Sequence, residues 1–169
     1  MKRSEINKAL KRMEQLAGEY HFALPPFCSW TREEWSQKGA EYNEIRDNLL
    51  GWDITDYGLG NFKKIGFSLI TLRNGNMKNP AYRKPYAEKL LMLEEEQSAP
   101  MHFHWSKMED IINRGGGTVL IRVYNAAVDE SLADTEVTVN KDGRKLIVPA
   151  GTQIALKPGE SITIQPVSY

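Results

Sequence analysis

Short strand candidates fill the chain from Gly66 onward and limit the folds that it can adopt. The first covers residues 66–72 and ends at Asn74-Gly75, a dipeptide typical of a β-turn. Further candidates follow at close spacing, many separated by Gly, Asp or Pro turns, at residues 88–93, 100–105, 108–113, 119–124, 136–139, 145–148, 153–156 and 161–164. Strands this short and this close favour an antiparallel barrel or sandwich over a parallel sheet built from βαβ units.

Helical signals dominate the N-terminal part of the chain. Apolar residues recur with helical spacing after the potential cap Ser4, at Ile6, Leu10, Met13, Leu16 and Ala17. Thr31 and Glu34 have the spacing of a capping box, and the helix that they begin is predicted to run towards Gly51, with Gly39 as a candidate break. We therefore expect a helical N-terminal extension over residues 1–62 and a β-barrel over residues 63–169. The apolar face of the first helix needs a partner surface, either the barrel or a second subunit.

The composition is that of an ordinary soluble globular protein and argues against several classes of partner. Lys+Arg and Asp+Glu number 22 each, so nothing in the charge favours a nucleic-acid or membrane partner. No apolar run approaches the length of a membrane span, and the N-terminus lacks the apolar stretch of a signal peptide. Cys28 is the only cysteine, which excludes an internal disulfide and makes the reducing cytoplasm the expected location.

Two of the three histidines stand one residue apart, at His102 and His104, and Glu109 follows them. On a β-strand, residues two apart point to the same face, so both imidazoles would approach one point in space. A carboxylate after the next turn can then supply a third ligand to the same ion. Imidazole and carboxylate together suit Zn, Mn, Fe or Co, so we predict that these three residues bind a divalent metal ion.

The residues after Glu109 make this motif more specific. Six residues separate Glu109 from Gly116, which lies within Asn113-Arg114-Gly115-Gly116-Gly117. An isolated His-x-His pair is common on polar strand faces, but the full pattern resembles the first motif of the cupin superfamily at each fixed position. This resemblance implies a mainly β fold, the cupin double-stranded β-helix or jelly-roll barrel, here with an N-terminal α-helical extension. Arg114 has no P-loop lysine after it, so its glycines favour a turn over a phosphate site.

Longer stretches of the chain resemble one branch of the cupins, the D-lyxose ketol-isomerase family. The similar segments are Met13-Glu14-Gln15-Leu16, Leu24-Pro25-Pro26-Phe27, Gly51-Trp52-Asp53-Ile54-Thr55-Asp56-Tyr57-Gly58, Tyr86-Ala87-Glu88-Lys89-Leu90-Leu91, residues 101–117 and Pro158-Gly159-Glu160-Ser161-Ile162-Thr163. The resemblance implies a metal-dependent aldose–ketose isomerase, typically with manganese. Such an enzyme interconverts D-lyxose with D-xylulose, and often D-mannose with D-fructose. The family also implies a homodimer that acts on a small-molecule sugar.

The chain departs from the family pattern near its C-terminus. In the family, a fourth metal ligand, a histidine, follows a Pro-x-x-Tyr segment, which here is Pro166-Val167-Ser168-Tyr169 at the end of the sequence. The family's acidic residues for proton transfer also have no counterpart. We therefore expect that the C-terminal part of the barrel is missing from this sequence, and that residues 1–169 alone have little isomerase activity.

Two lysines are candidates for contacts with the sugar. Lys107 lies two residues before Glu109, so on a strand it would share the face of that ligand and stabilise an enediolate or hold a sugar oxygen. Lys89 is a polar residue inside the apolar strand candidate 88–93 and would point into a sugar pocket. For both, the alternative is a lysine that is simply solvated or reaches out to solvent. Trp105 is expected to face away from the histidines and to pack in the core.

Two other functions stay open on the residues alone. Two histidines and a carboxylate also form the iron triad of non-haem dioxygenases, which metal analysis and an oxygen-uptake assay would distinguish from an isomerase. A non-catalytic sugar-binding cupin is favoured if the chain truly ends at Tyr169.

Overall fold

The structure is a computed structural model that describes residues 1–169. The chain divides into two units, Met1–Pro100 and Met101–Tyr169. The first unit combines helices with a three-stranded sheet, and the second consists of strands and loops. Each unit has an apolar cluster of its own. None of the helices has the length and apolar character that crossing a membrane requires.

The N-terminal unit begins with helix α1, which spans Arg3–Glu19. Its N-cap is Lys2, so the helix begins slightly earlier than the expected cap Ser4 would allow. Met13 lies on the apolar face of α1, is only 1% exposed, and belongs to the same apolar cluster as Ile70 of the sheet. The predicted apolar face is therefore confirmed, and the sheet of the same unit covers it.

Short helical segments connect α1 to the sheet. They are a 3-10 turn at Pro26–Cys28, helix α2 at Arg32–Ser36, a second 3-10 turn at Ala40–Tyr42 and helix α3 at Asn43–Asp47. The capping box is confirmed: the Thr31 hydroxyl accepts the Glu34 N–H at 3.2 Å, and the Glu34 carboxylate accepts the Thr31 N–H at 2.7 Å. The helix predicted towards Gly51 is interrupted before Gly39, where the backbone is extended.

Three antiparallel strands form the sheet of this unit in the order β1-β2-β3. They are β1 at Gly51–Thr55, β2 at Phe67–Arg73 and β3 at Glu88–Met92. The central strand β2 is buried from Ser68 to Leu72, as expected for a strand covered on both sides. The sequence pattern predicted β2 and β3, but it predicted no strand at residues 51–55. Strand β1 owes its place to pairing with β2, in which Trp52 lies opposite Ile70.

The second unit contains eight short strands, and every pairing between them is antiparallel. They are β4 (Glu109–Ile112), β5 (Val119–Arg122), β6 (Asn125–Ala126), β7 (Leu132–Ala133), β8 (Val137–Lys141), β9 (Arg144–Val148), β10 (Gln153–Leu156) and β11 (Ser161–Ile164). The largest sheet has the order β4-β11-β8-β9, while β5 pairs with β10 and β6 with β7. Alternate residues of these strands, together with Val123 directly after β5, form a buried cluster: Val123, Val137, Val139, Ile154, Leu156 and Ile162.

The predicted fold class is confirmed, because the chain is mainly β, its sheets are antiparallel and its helices are confined to the N-terminal part. These features agree with a cupin-like fold. The glycine-rich segment after β4 is a turn, as expected. Its shape is held by Asn113, whose side-chain amide donates to the carbonyl oxygens of Gly117 and Leu156, both at 2.9 Å.

One predicted strand is absent. Residues 100–105 carry the His-x-His pair but belong to no strand, and the chain enters a ladder only at Glu109. The candidate at 108–113 is confirmed in position and forms β4. Apolar composition alone could not distinguish the two segments, because only β4 finds a partner strand, β11.

Candidate metal centre

The two histidines share a side of their segment although that segment is not a strand. The ring centroids of His102 and His104 lie 5.3 Å apart. The aromatic residues that alternate with them are also neighbours, with the rings of Phe103 and Trp105 at 4.8 Å. The alternation that the sequence predicted is therefore kept, because it depends on the local backbone and not on a ladder partner.

Strand β4 supplies the carboxylate. Glu109 is its first residue and pairs with Ile164 of β11, so the ladder fixes the backbone from which the carboxylate projects. The Nε2 atom of His104 lies 3.6 Å from the Oε2 atom of Glu109. One ligand atom from each of His102, His104 and Glu109 lies within 4.8 Å of the other two. The three predicted residues are therefore brought together.

This donor set fits a divalent transition-metal ion. Nitrogen and carboxylate oxygen ligands bind such ions at about 2.0–2.2 Å, so donors around one ion are separated by roughly 3–4 Å. The separation of 3.6 Å between His104 and Glu109 already lies in this range, and all three ligand atoms lie within 4.8 Å of one another, so small side-chain rotations would close them around an ion. His104 and Glu109 are half-buried and His102 is exposed, which leaves room for a further ligand from solution.

Lys107 adds a positive charge beside this cluster. Its Nζ atom lies 3.5 Å from the Oε1 atom of Glu109, and its side chain is 50% exposed. Trp105 is 64% exposed, so the expectation that it packs in the core was wrong. Asp110, which follows Glu109 in β4, is exposed and accepts the Thr163 hydroxyl at 2.5 Å.

Lys89 belongs to the other unit. It lies on β3, opposite Thr71 of β2, and is exposed. Two cavities of about 290 and 350 Å³ also lie in that unit, lined by residues between 27 and 85, and neither is lined by Lys89 or by the metal cluster. The candidate site is thus an open cluster of polar side chains and not one of these cavities.

The sequence pattern did not indicate the residues that contact the histidine segment on the side away from the metal cluster. The N–H of Val167 donates to the carbonyl oxygen of His104 at 2.8 Å, and the ring of Tyr169 contacts that of Phe103 at 5.0 Å between centroids. These residues are far apart along the chain, and no local pattern in the sequence marks the contact.

Comparison with known proteins gives the family. A family model described as D-lyxose isomerase matches residues 1–169. This chain belongs to that family. Its relatives include a D-lyxose/D-mannose isomerase of Escherichia coli O157:H7, which is 45% identical over 170 residues, covering 100% of this chain and 75% of the relative. Another relative, a D-lyxose/D-mannose isomerase of Serratia proteamaculans, is 42% identical over 170 residues with the same coverage.

Family membership confirms the resemblance seen in the sequence and identifies the chain as a sugar isomerase. It favours this activity over the dioxygenase and the non-catalytic alternatives. The relatives are longer than this chain, which spans 75% of each.

Proposed function

We propose that this protein is a metal-dependent aldose–ketose isomerase that interconverts D-lyxose with D-xylulose, and D-mannose with D-fructose, through an enediolate. The observation that carries the proposal is the convergence of His102, His104 and Glu109, whose ligand atoms lie within 4.8 Å of one another. The names of the relatives, which combine D-lyxose and D-mannose, support the two substrate pairs.

The reaction moves a proton between C1 and C2 of the sugar and shifts the carbonyl group between the same carbons. A divalent ion held by the three ligands would act as a Lewis acid towards the sugar oxygens on these carbons. His102 and His104 would each contribute one imidazole nitrogen to such an ion, and Glu109 would contribute a carboxylate oxygen. Three protein ligands leave coordination positions open, which a catalytic site needs and a closed structural site lacks.

Lys107 is proposed to act on the negative charge that develops on the enediolate oxygen. Its ammonium group lies 3.5 Å from Glu109, so it stands close enough to the ligands to donate to a sugar oxygen bound beside them. The positive charge of Lys107 would also reduce the electrostatic repulsion between the anionic enediolate and the carboxylate of Glu109. Lys89, an exposed cation of β3 followed by three apolar residues, stays a proposed contact to the sugar.

Several further proposals depend on the family resemblance. Manganese is the proposed metal, with Zn, Co or Fe as alternatives that the same ligands accept. A homodimer is the proposed assembly, and the cytoplasm is the proposed location because the chain has a single cysteine. The division into a helical extension at 1–62 and a barrel at 63–169 stays a prediction.

The proposal is tested by replacing one ligand and one unrelated histidine. In the complete protein, we expect that His104→Ala, or equally His102→Ala, removes bound manganese and abolishes conversion of D-lyxose to D-xylulose, and that excess Mn²⁺ restores little. The matched control is His21→Ala, because His21 lies just beyond α1 in the other unit and is exposed. Metal content is measured by elemental analysis after desalting. Wild-type metal content in His104→Ala would contradict the proposed ligand set.

A further inference from the structure

We infer that Val167, Phe103 and Tyr169 form a clamp that positions the two histidines for metal binding. The inference rests on the proposed metal centre, and it assigns to residues outside the ligand set the task of holding the ligands in place. These are positioning residues, because they act through His102 and His104 and do not themselves offer a metal ligand.

The histidine segment needs such support because no ladder holds it. Residues 101–108 belong to no strand, so their backbone lacks the regular hydrogen bonds that fix Glu109 in β4. A backbone hydrogen bond to a distant part of the chain contributes to fixing this segment. The Val167 N–H donates to the His104 carbonyl oxygen at 2.8 Å, directly at one of the two histidines.

Val167 is itself held from the other side. Its carbonyl oxygen accepts the N–H of Ala126 in β6 at 2.9 Å, and the next residue, Ser168, forms a bridge with Asn125 of the same strand. Its φ angle is +62°, a left-handed conformation that a β-branched side chain rarely adopts. A strained residue of this kind persists only where its surroundings determine its conformation, and here hydrogen bonds on both sides do so.

The aromatic part of the clamp acts through the residue between the histidines. Phe103 contacts Tyr169 edge to face at 5.0 Å, and it contacts Trp105 in the same manner at 4.8 Å. Because neighbouring side chains alternate, a Phe103 ring fixed on one side directs both imidazoles to the other side. Ring contacts of this geometry stabilise the pair beyond the effect of the apolar area that they bury.

Tyr169 is itself held in place, because both its backbone and its hydroxyl form hydrogen bonds. Its N–H donates to the Tyr124 carbonyl oxygen at 2.8 Å, and its own carbonyl oxygen accepts the Tyr124 N–H at 3.3 Å. Its hydroxyl donates to the carbonyl oxygen of Glu130. Loss of the ring would remove this partner of Phe103 and loosen the segment that carries both histidines. More conformational entropy would then be lost when an ion binds, so the affinity for metal would fall.

The experiment measures metal affinity and site geometry, and not activity alone. In Tyr169→Ala, the dissociation constant for Mn²⁺ should rise about 10- to 100-fold, as for other residues that orient metal ligands. The visible absorption of the Co²⁺-substituted protein should change as well, because it reports the geometry of the ligands. Tyr169→Phe keeps the ring and should retain near wild-type affinity. Tyr20→Ala, an exposed tyrosine in the other unit, is the matched control.

A second variant guards against loss of the fold. Phe103→Leu keeps an apolar side chain of similar size without a ring and should weaken Mn²⁺ binding in the same way, with little change in the melting temperature of the metal-free protein. Wild-type Mn²⁺ affinity and an unchanged Co²⁺ spectrum in folded Phe103→Leu would overturn the clamp. Failure of the wild-type protein to bind metal, or unchanged binding in His104→Ala, would instead overturn the proposed metal centre.

Discussion

Replacing Lys107 by methionine separates a catalytic role of this residue from a structural one. Two unit charges 3.5 Å apart interact by about 1.2 kcal/mol in bulk water and about 4.7 kcal/mol at an effective dielectric constant of 20. The Lys107 side chain is 50% exposed and that of Glu109 is 38% exposed, so the lower figure is the relevant one. Exposed pairs of this kind contribute about 0–1 kcal/mol to stability. The variant should therefore fold normally.

Turnover should fall much further than this small change in stability. A donor that stabilises a developing oxyanion is worth about 10²–10³-fold in kcat, and the partial exposure of Lys107 places it near 10²-fold. Metal binding should be kept or slightly strengthened, because the lost charge repels a cation. In the complete enzyme with saturating Mn²⁺, the assay follows conversion of D-lyxose to D-xylulose together with exchange of the C2 proton into solvent.

The matched control is Lys145→Met, an exposed lysine of β9 that does not belong to the cluster. Its kcat should equal that of the wild type. A kcat of Lys107→Met within about twofold of wild type, with bound metal intact, would refute our account of the enediolate charge. A rise in KM at constant kcat would instead assign Lys107 to uniform binding of the sugar.

Two further predictions concern the core and the single thiol. Ile162 is 1% exposed, so Ile162→Ala should lower the free energy of unfolding, measured in urea, by about 2–5 kcal/mol. Ile147 is 59% exposed, so Ile147→Ala should lower it by about 1 kcal/mol or less. Equal losses in the two variants would contradict the assigned core. Burial, with the charge of Glu14 as a smaller cause, raises the pKa of Cys28 from 9.0 to about 11. Thiol alkylation at pH 8 should therefore be about 100-fold slower than for a free thiol. A group whose pKa is raised in the folded state contributes stability that is fully present below pH 9 and is lost as the pH rises towards 11. Cys28→Ser should therefore flatten the dependence of the unfolding free energy on pH between pH 9 and pH 11. Identical pH dependences for the variant and the wild type would contradict the raised pKa.

Much of the site was predictable because its ligands are close in sequence. His102, His104 and Glu109 lie within eight positions of one another, and the alternation of side chains along a local segment places both imidazoles on one side. The detail that failed was the strand at residues 100–105. A segment becomes a strand only when it pairs with a neighbouring strand, and residues 100–105 belong to no strand; the Val167 N–H donates to the His104 carbonyl oxygen there.

Sequence alone therefore determined the features that depend on short-range periodicity and residue chemistry. These are the amphipathic helix α1, the capping box at Thr31, most strands of the second unit, and the three residues of the candidate metal cluster. Tertiary structure decided the features that join distant parts of the chain. Strand β1 exists because β2 offers it an edge, Glu109 projects from a ladder with β11, and Tyr169 returns to pack on Phe103. Such contacts arise from the packing of whole elements, and no local spacing in the sequence encodes which residues will meet.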